Sequence, residues 1–579
     1  VSYRENLLRS HETGDFLQTV YACATACQHE EHDELALELA ALHNEELIDI
    51  VEAFESLENT QGGSIFFLTR HIFEIALPNI NASVPSVMRC AYQLYQSSGQ
   101  DLAASTIIDS LVKFCQKASN RPGEALDEIE ANPDNFANLL PAILTAGSKF
   151  DIPFYLKRAI CYCADTNIEL RKNALFSIGN FNFPDESMML DSAIKALEHS
   201  SRTETDDQVL ACIFKSAFAL SQKLNIHESR IAAIITTSLS KGAECTLYEA
   251  SVVFAFHASG LTTALFDTLT MHLTHVNPSN KGTLRNIDFG ITALLKNGEI
   301  EKAIQILEGF LLRHSDEIEM GVFDNTAREI LNNKNFLSKI LTRWFLRGDR
   351  PLCKAVCTIT GASYGNEPKL EIDPVELKPH DFKHILFIAK KIIGYLFWQP
   401  ISATSALISL MHITLDEEIL QGLGELLLNP LLLNYPGKAR EYAIQQSELA
   451  SDKIKPTIDQ ALQDIDRYFE ELRSVDKLEA LHPSEMQREA YHRHLSRIME
   501  KSYEAAEKQS IFLNIFTKSV LLYGRKSINY VYDANGLPHR TEIPLHRHGV
   551  ELEFPRMENL EPFGLDYMLR IFRNERFTA

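Results

Sequence analysis

The chain has 579 residues, 45% hydrophobic and 23% charged, the composition of an ordinary soluble globular protein that can bury a core without disulfides or metal. Its formal net charge of −22 sets the body of the protein against nucleic acid and against anionic membrane as ligands. The acidity is concentrated early, with 8 Lys/Arg against 22 Asp/Glu in residues 1–150.

The opening stretch VSYRENLLRSHETGDF is polar and carries no secretory pattern. Val1 reads either as a non-AUG start of the bacterial kind or as a trimmed end. Most of the ten cysteines sit inside apolar helical patterns, where a free thiol acts as a small hydrophobe. A reduced, cytoplasmic compartment is the expectation. Within the acidic helical region 1–150, Leu35, Leu39, Leu42, Leu47, Ile50 and Phe54 keep close to the spacing of one helix face.

Residues 151–357 carry an internal repeat. The segments IELRKNALFSIGNF (168–181), DQVLACIFKSAFAL (207–220), TLYEASVVFAFHAS (246–259) and RNIDFGITALLKNG (285–298) each begin 39 residues after the last. Their third, seventh and eleventh positions are Leu170, Ala174, Ile178; Val209, Ile213, Ala217; Tyr248, Val252, Phe256; and Ile287, Ile291, Leu295. All are apolar at i, i+4, i+8, so each copy is expected to turn these three residues onto a neighbouring helix. The next step reaches Thr326, Ile330 and Lys334, where the apolar pattern fails.

This block resembles the HEAT/armadillo class of α-solenoids, whose repeats of roughly 40–47 residues hold paired helices. Leu170-Arg171, Ala174 and Ile178-Gly179 stand at the class's hydrophobic–Arg, Ala and Leu-Gly positions, while Leu210, Glu249 and Asp288 replace the Arg in later copies. The resemblance implies a mainly α fold, an α-solenoid of HEAT-like helical pairs, and says little about a partner. NGEIEKAIQILEGFL (297–311) has instead the flavour of a tetratricopeptide helix, so an irregular array is expected.

The stretch 358–381, with two glycines and three prolines, reads as a linker. Residues 382–516 then form a helical C-terminal domain with long polar helices. Its apolar run 384–415 is broken by Lys390, Lys391 and Pro400, too short uncharged for a membrane span, and reads as two buried helices. TIDQALQDIDRYFEELRSV places Leu462, Ile465, Phe469 and Leu472 on one face, and Ser484-x-x-Gln487 is a capping-box pattern. Residues 517–579 read as a small β-hairpin region around the reversal signal Ala534-Asn535-Gly536, followed by a terminal helix.

Two clusters could hold metal. His546-x-His548 followed by Glu553 fits the H-x-H-x4-E spacing of a cupin site, with both imidazoles on one strand face. Arg540 and Leu560 stand where a cupin has glycines, so exposed or interface histidines compete with that reading. The alternative set is Cys23, Cys27, His29 and His32, with the thiols at i, i+4 on a helix; C-x3-C on an apolar helix face equally suits a core. No Walker, dinucleotide-binding, nucleophile-elbow or H-E-x-x-H motif occurs. The basic, aromatic terminal strands offer Arg525, Lys526, Tyr530, Tyr532 and Arg547 as partner contacts, since short strands need something to pair with.

The sequence therefore points to a non-enzymatic scaffold or adaptor that binds a protein partner through a helical-repeat surface as one component of a larger complex. No cofactor and no membrane contact are expected; self-association would run through the C-terminal helices or the hairpin. A metal-dependent enzyme or effector with its site in 380–579 is the alternative.

Overall fold

Apolar stripes separated by Asn, Asp, Ser and Pro fold into successive short helices, because those breakers satisfy or dispense with the free N–H groups at a helix start. The computed structural model describes residues 3–26, 31–59, 63–99, 105–183, 188–223, 228–315, 317–362, 367–377, 382–414, 416–475, 484–509, 526–532, 538–544 and 553–577. Asn167 Oδ1 accepts from Glu169 N and Leu170 N (2.9 and 3.1 Å), and Asp206 Oδ1 does the same for Gln208 N and Val209 N (2.9 and 3.1 Å). Proline opens Val84–Ser97, Arg121–Ala131 and Ile152–Tyr162, where its missing N–H costs nothing. The chain divides into two compact units, Val1–Glu329 and Ile330–Ala579.

In the first unit, helices pack on their sequence neighbours and on the next but one. One layer runs through Tyr3–Thr13, His32–Asn44, Gly63–Ala76, Thr106–Cys115, Leu140–Ser148, Ile168–Ile178, Asp207–Lys223, Glu244–His257 and Lys281–Lys296, each touching the next. Met188–Thr203, Glu228–Lys241 and Thr263–Leu273 belong to the second layer. This is a two-layer helical repeat. Its alternation begins at Tyr3, so the acidic region 1–150 continues the same layers as the copies recognised in sequence.

Three of the four aligned copies bury the expected residues: Leu170, Ala174, Ile178; Val209, Ile213, Ala217; and Ile287, Ile291, Leu295. The third does not. Tyr248 and Phe256 are 46% and 78% exposed, and the buried residues of that helix are Thr246, Ala250, Ser251, Val253 and Phe254. Thr246, Ala250 and Phe254 lie 37 residues after Val209, Ile213 and Ala217, so the core repeat here is two residues shorter than the alignment assumed. A helix apolar on both sides allows either register, and packing selects the smaller set. The apparent fifth copy also differs from expectation, since Thr326 and Ile330 are both buried. Thr326 is tolerated there because its N and Oγ1 donate to Asp288 Oδ1 at 2.9 and 2.7 Å.

In the second unit the run 384–415 forms the helices Phe382–Leu396 and Pro400–Ile413, both largely buried. Among the described residues no helix is long and apolar enough to cross a membrane. The stretch expected to be a linker, 358–381, begins inside the helix Arg350–Gly361. Its residues 367–377 are anchored: Leu370 N and Ile372 N donate to Ser405 Oγ and Ser409 Oγ (2.8 and 2.9 Å), and Asp373 N donates to Thr342 Oγ1 (2.8 Å). Helix Lys455–Ser474 buries Ile458, Ala461 and Ile465, while Leu472 at its end is exposed. Ser484 caps Glu485–Gln509 as the pattern implied, with Ser484 N donating to Gln487 Oε1 (2.9 Å) and Gln487 N to Ser484 Oγ (3.3 Å). Strands β1 (Lys526–Tyr532) and β2 (Pro538–Pro544) pair antiparallel, with Lys526 opposite Pro544 and Tyr532 opposite Pro538. The reversal residues 534–536 lie outside the described residues.

Candidate protein-binding face

The two-residue slip in the third copy creates the most distinctive surface of the first unit. Helix Glu244–His257 turns Ala250, Ser251 and Phe254 inward, which leaves Tyr248, Val252 and Phe256 as an i, i+4, i+8 stripe facing out. On the adjoining helix Lys281–Lys296, Ile287, Gly290 and Ile291 go inward and Phe289 stays 49% exposed. The two helices approach closely through Gly290. A Cβ at that position would lie 2.3 Å from Phe254 Cδ1 and 2.8 Å from Phe254 O.

At the helix N-termini the face opens into a cleft of about 610 Å³, lined by Gln208, Lys215, Tyr248, Glu249, Lys281 and Gly282 among others. Lys215 is neutralised by Glu249 at 3.3 Å and lies 5.3 Å from the Phe176 ring centroid. Lys281 and Arg285 have no ion pair among the described residues. Two cysteines line the cleft, and burial pushes the Cys212 thiol up to about 11 and raises Cys245 as well. Both are thus protonated near neutrality, which makes them poor nucleophiles. The chemistry on offer is an apolar, aromatic contact with polar edges.

Polar links between repeats hold this face in place. Asp207 accepts from Ala243 N, Cys245 N and Thr246 Oγ1, each at 2.7 Å, and so caps the next helix of its layer. Burial would raise the Asp207 carboxyl, but these donors outweigh it and hold it below the usual carboxylate range. Asp288 repeats the device on Asn325 N and Thr326 N (3.1 and 2.9 Å). Helix C-termini are served in the reverse sense. Lys223 Nζ donates to Gly179 O (3.0 Å), Lys241 Nζ to Arg202 O and Glu204 O (2.8 and 2.7 Å), and His314 Nε2 lies 2.9 Å from Thr274 O. Acid at one helix start and base at the end of another thus match the helix dipoles across the stack. In the sequence alone Glu249 and Asp288 stand only as replacements of an Arg, and no local spacing marks a cap on a distant helix. Arg171 itself bonds Glu204 of the following repeat at 2.8 Å, so the position keeps an inter-repeat role while its charge changes sign.

Cys23 is half-buried in Phe16–Ala26, and His32 is buried at the start of His32–Asn44 with Nε2 3.0 Å from Ala24 O. Cys27 and His29 lie outside the described residues. Glu553 accepts from Gly437 N and Lys438 N, both at 2.7 Å, where helix Lys438–Leu449 begins. His546 and His548 lie outside the described residues, as do Arg525 and Arg547; Lys526, Tyr530 and Tyr532 are on β1. Among the described residues no group of three or more His, Cys, Asp or Glu is arranged to hold a metal ion. The exposed aromatic stripe shows in the sequence as an apolar i, i+4, i+8 pattern, which does not distinguish a covered stripe from an open one.

No family model and no curated protein matches the chain. Among solved structures the chain is similar to one described as a "Circular tandem repeat protein with novel repeat topology and enhanced subunit contact surfaces", at 11% identity over 80% of this chain and 94% of that one, with a TM-score of 0.15. At that score the likeness carries no argument about fold or function.

Proposed function

We propose that the protein is a non-enzymatic scaffold or adaptor, and that it binds a protein partner through the aromatic face of helices Glu244–His257 and Lys281–Lys296. The observation that carries this reading is the exposure of Tyr248, Phe256 and Phe289 together on adjoining helices of one layer. Each large apolar side chain moved from water into an interface contributes about 1.5–3 kcal/mol on full burial, and aromatic residues dominate binding hot spots. The inter-repeat links pre-order the backbone that presents them, which lowers the entropic cost of association. The nine described cysteines are all free, which supports a reducing, cytoplasmic setting. Lys281 and Arg285 at the edge of the face suit a partner segment that is apolar with acidic flanks.

The test is affinity purification from the native host with in situ cross-linking, comparing the natural protein with a Tyr248→Asp/Phe256→Asp/Phe289→Asp variant. Partners whose cross-links map to 244–296 and which the variant loses, with its melting temperature unchanged, are the expected result. Partners retained at full yield by a folded variant would move the binding surface elsewhere.

A further inference from the structure

The described C-terminal segment 553–577 makes a series of separate attachments to the second unit. Glu553 meets Gly437 N and Lys438 N, and Met557 N donates to Asn434 Oδ1 at 2.9 Å. The Arg556 guanidinium lies 4.5 Å from the Phe469 ring centroid. Helix Pro562–Asn574 then packs on Phe382–Leu396. Its last carbonyls are received by Lys391, an ammonium group on a residue only 1% exposed, which donates to Arg573 O and Glu575 O at 2.6 Å each. Lys390 pairs with Glu575 at 2.9 Å, and Phe577 stacks on His384 with ring centroids 3.7 Å apart.

Two features of this attachment bear on what the groove can recognise. The first is the uncovered side of the terminal helix. Only Leu565 and Leu569 of the terminal helix are buried, while Phe563, Tyr567 and Ile571 remain exposed on its other side. Polar recognition of the helix end therefore adds to the apolar contact of the covered side. The second is the preparation of the groove. Gly348, at φ +67, ends helix Lys334–Arg347, and a Cβ there would lie 2.8 Å from Phe387 Cζ and 3.4 Å from Lys391 Cε. The backbone makes room for the two side chains that greet the incoming helix end. A buried ammonium group with two carbonyl acceptors is a specific reader of a helix C-terminus.

We propose that the groove along Phe382–Leu396 is a binding site for an amphipathic helix ending in exposed carbonyls, an acidic residue and an aromatic residue, and that the chain's own 553–577 segment is its exchangeable occupant. The hydrogen-bond partners of the segment lie 115 to 185 residues earlier in sequence. Lys391 is the positioning residue, since it fixes where the helix must stop. This is independent of the aromatic face on the first unit.

The experiment uses the full chain with a protease site placed within 545–550, cut after folding. Native mass spectrometry follows the noncovalent fragment, and fluorescence anisotropy follows a labelled synthetic 553–577 peptide added to it. The cut fragment is expected to stay bound at micromolar concentration, to be displaced by the added peptide, and to be displaced far less well by a Phe577→Ala or Glu575→Gln peptide. Because those changes are in the peptide, the folding of the receptor is not in question. In the chain, Lys391→Met is expected to weaken peptide binding by roughly 10- to 100-fold, the loss of hydrogen bonds from a charged donor. Immediate loss of the fragment without rebinding overturns the proposal. So does a fragment that no excess of peptide displaces, and so does equal competition by all three peptides.

Discussion

Phe254 and Phe256 are two residues apart on one helix, and the sequence repeat assigns the core to one while packing assigns it to the other. Phe254 is fully buried, against Phe266 at a ring-centroid distance of 6.1 Å and against Gly290. Replacing it with Ala removes the transfer free energy of a buried ring and leaves a cavity between two helices, about 3–5 kcal/mol together. Phe256 is 78% exposed, so about a fifth of its surface is available to lose; at about 1.5–3 kcal/mol for complete burial, Phe256→Ala costs roughly 0.3–0.7 kcal/mol. With about 2.1 cal/mol/K of unfolding entropy per residue, a unit of this size shifts by about 1.4 °C per kcal/mol, so Phe254→Ala lowers the melting temperature by roughly 4–7 °C, while Phe256→Ala moves it by about 1 °C or less. Thermal melts of the full chain, with hydrogen exchange read on residues 244–257, separate the two. Equal destabilisation by both variants, or a silent Phe254→Ala, would refute the register and with it the exposed aromatic face.

Gly290→Ala gains about 1 kcal/mol of helix propensity but forces a methyl group against the ring and carbonyl of Phe254; overpacking at about 1–3 kcal/mol wins, so a net loss of stability is expected in denaturant melts. Asp207→Asn is expected to cost about 1–2 kcal/mol, after allowance for partial exposure, because hydrogen bonds to a charged acceptor become neutral ones. The folded carboxyl is depressed, so its contribution is complete above the unfolded pKa, about 3.9, and fades as pH falls through the folded one. Acid titration of stability should therefore flatten in Asp207→Asn relative to the natural chain, and identical acid profiles would contradict the assignment. Lys241→Met should loosen the end of Met188–Thr203 by about 1 kcal/mol, read as faster amide exchange at the end of Glu228–Lys241 and in residues 201–206.

Much of the helical repeat was legible because a core-facing stripe needs only apolar side chains at i, i+4, i+8, and three copies obey that rule. The third copy misled because Tyr248, Val252 and Phe256 satisfy the rule as well as the residues that are truly buried. Periodicity measures the existence of an apolar stripe, not which stripe is covered. Thr326 escapes an apolar pattern for the opposite reason. Its hydroxyl looks wrong for a core, and its acceptor, Asp288, stands 38 residues earlier. The candidate metal set failed to reveal the role of Glu553 for the same reason, since its partners at Gly437 and Lys438 are 116 and 115 residues away. Local spacing cannot report a cap supplied by a distant element.

These departures share one physical origin. A stack of short helices multiplies helix ends, and every end leaves backbone donors or acceptors to be satisfied. In the first unit they are satisfied by charged side chains from the adjoining repeat, Asp207 and Asp288 at helix starts and Lys223 and Lys241 at helix ends. In the second unit Lys391 does the same for the terminal helix, and Glu553 for Lys438–Leu449. Polar links of this kind fix the position of a helix without requiring a large apolar contact. Helix Glu244–His257 can therefore be held by Thr246, Ala250 and Phe254 and still keep an aromatic stripe free. The terminal helix can likewise be held with only two leucines buried. A stack fastened at its ends is free to leave apolar side chains outside the core.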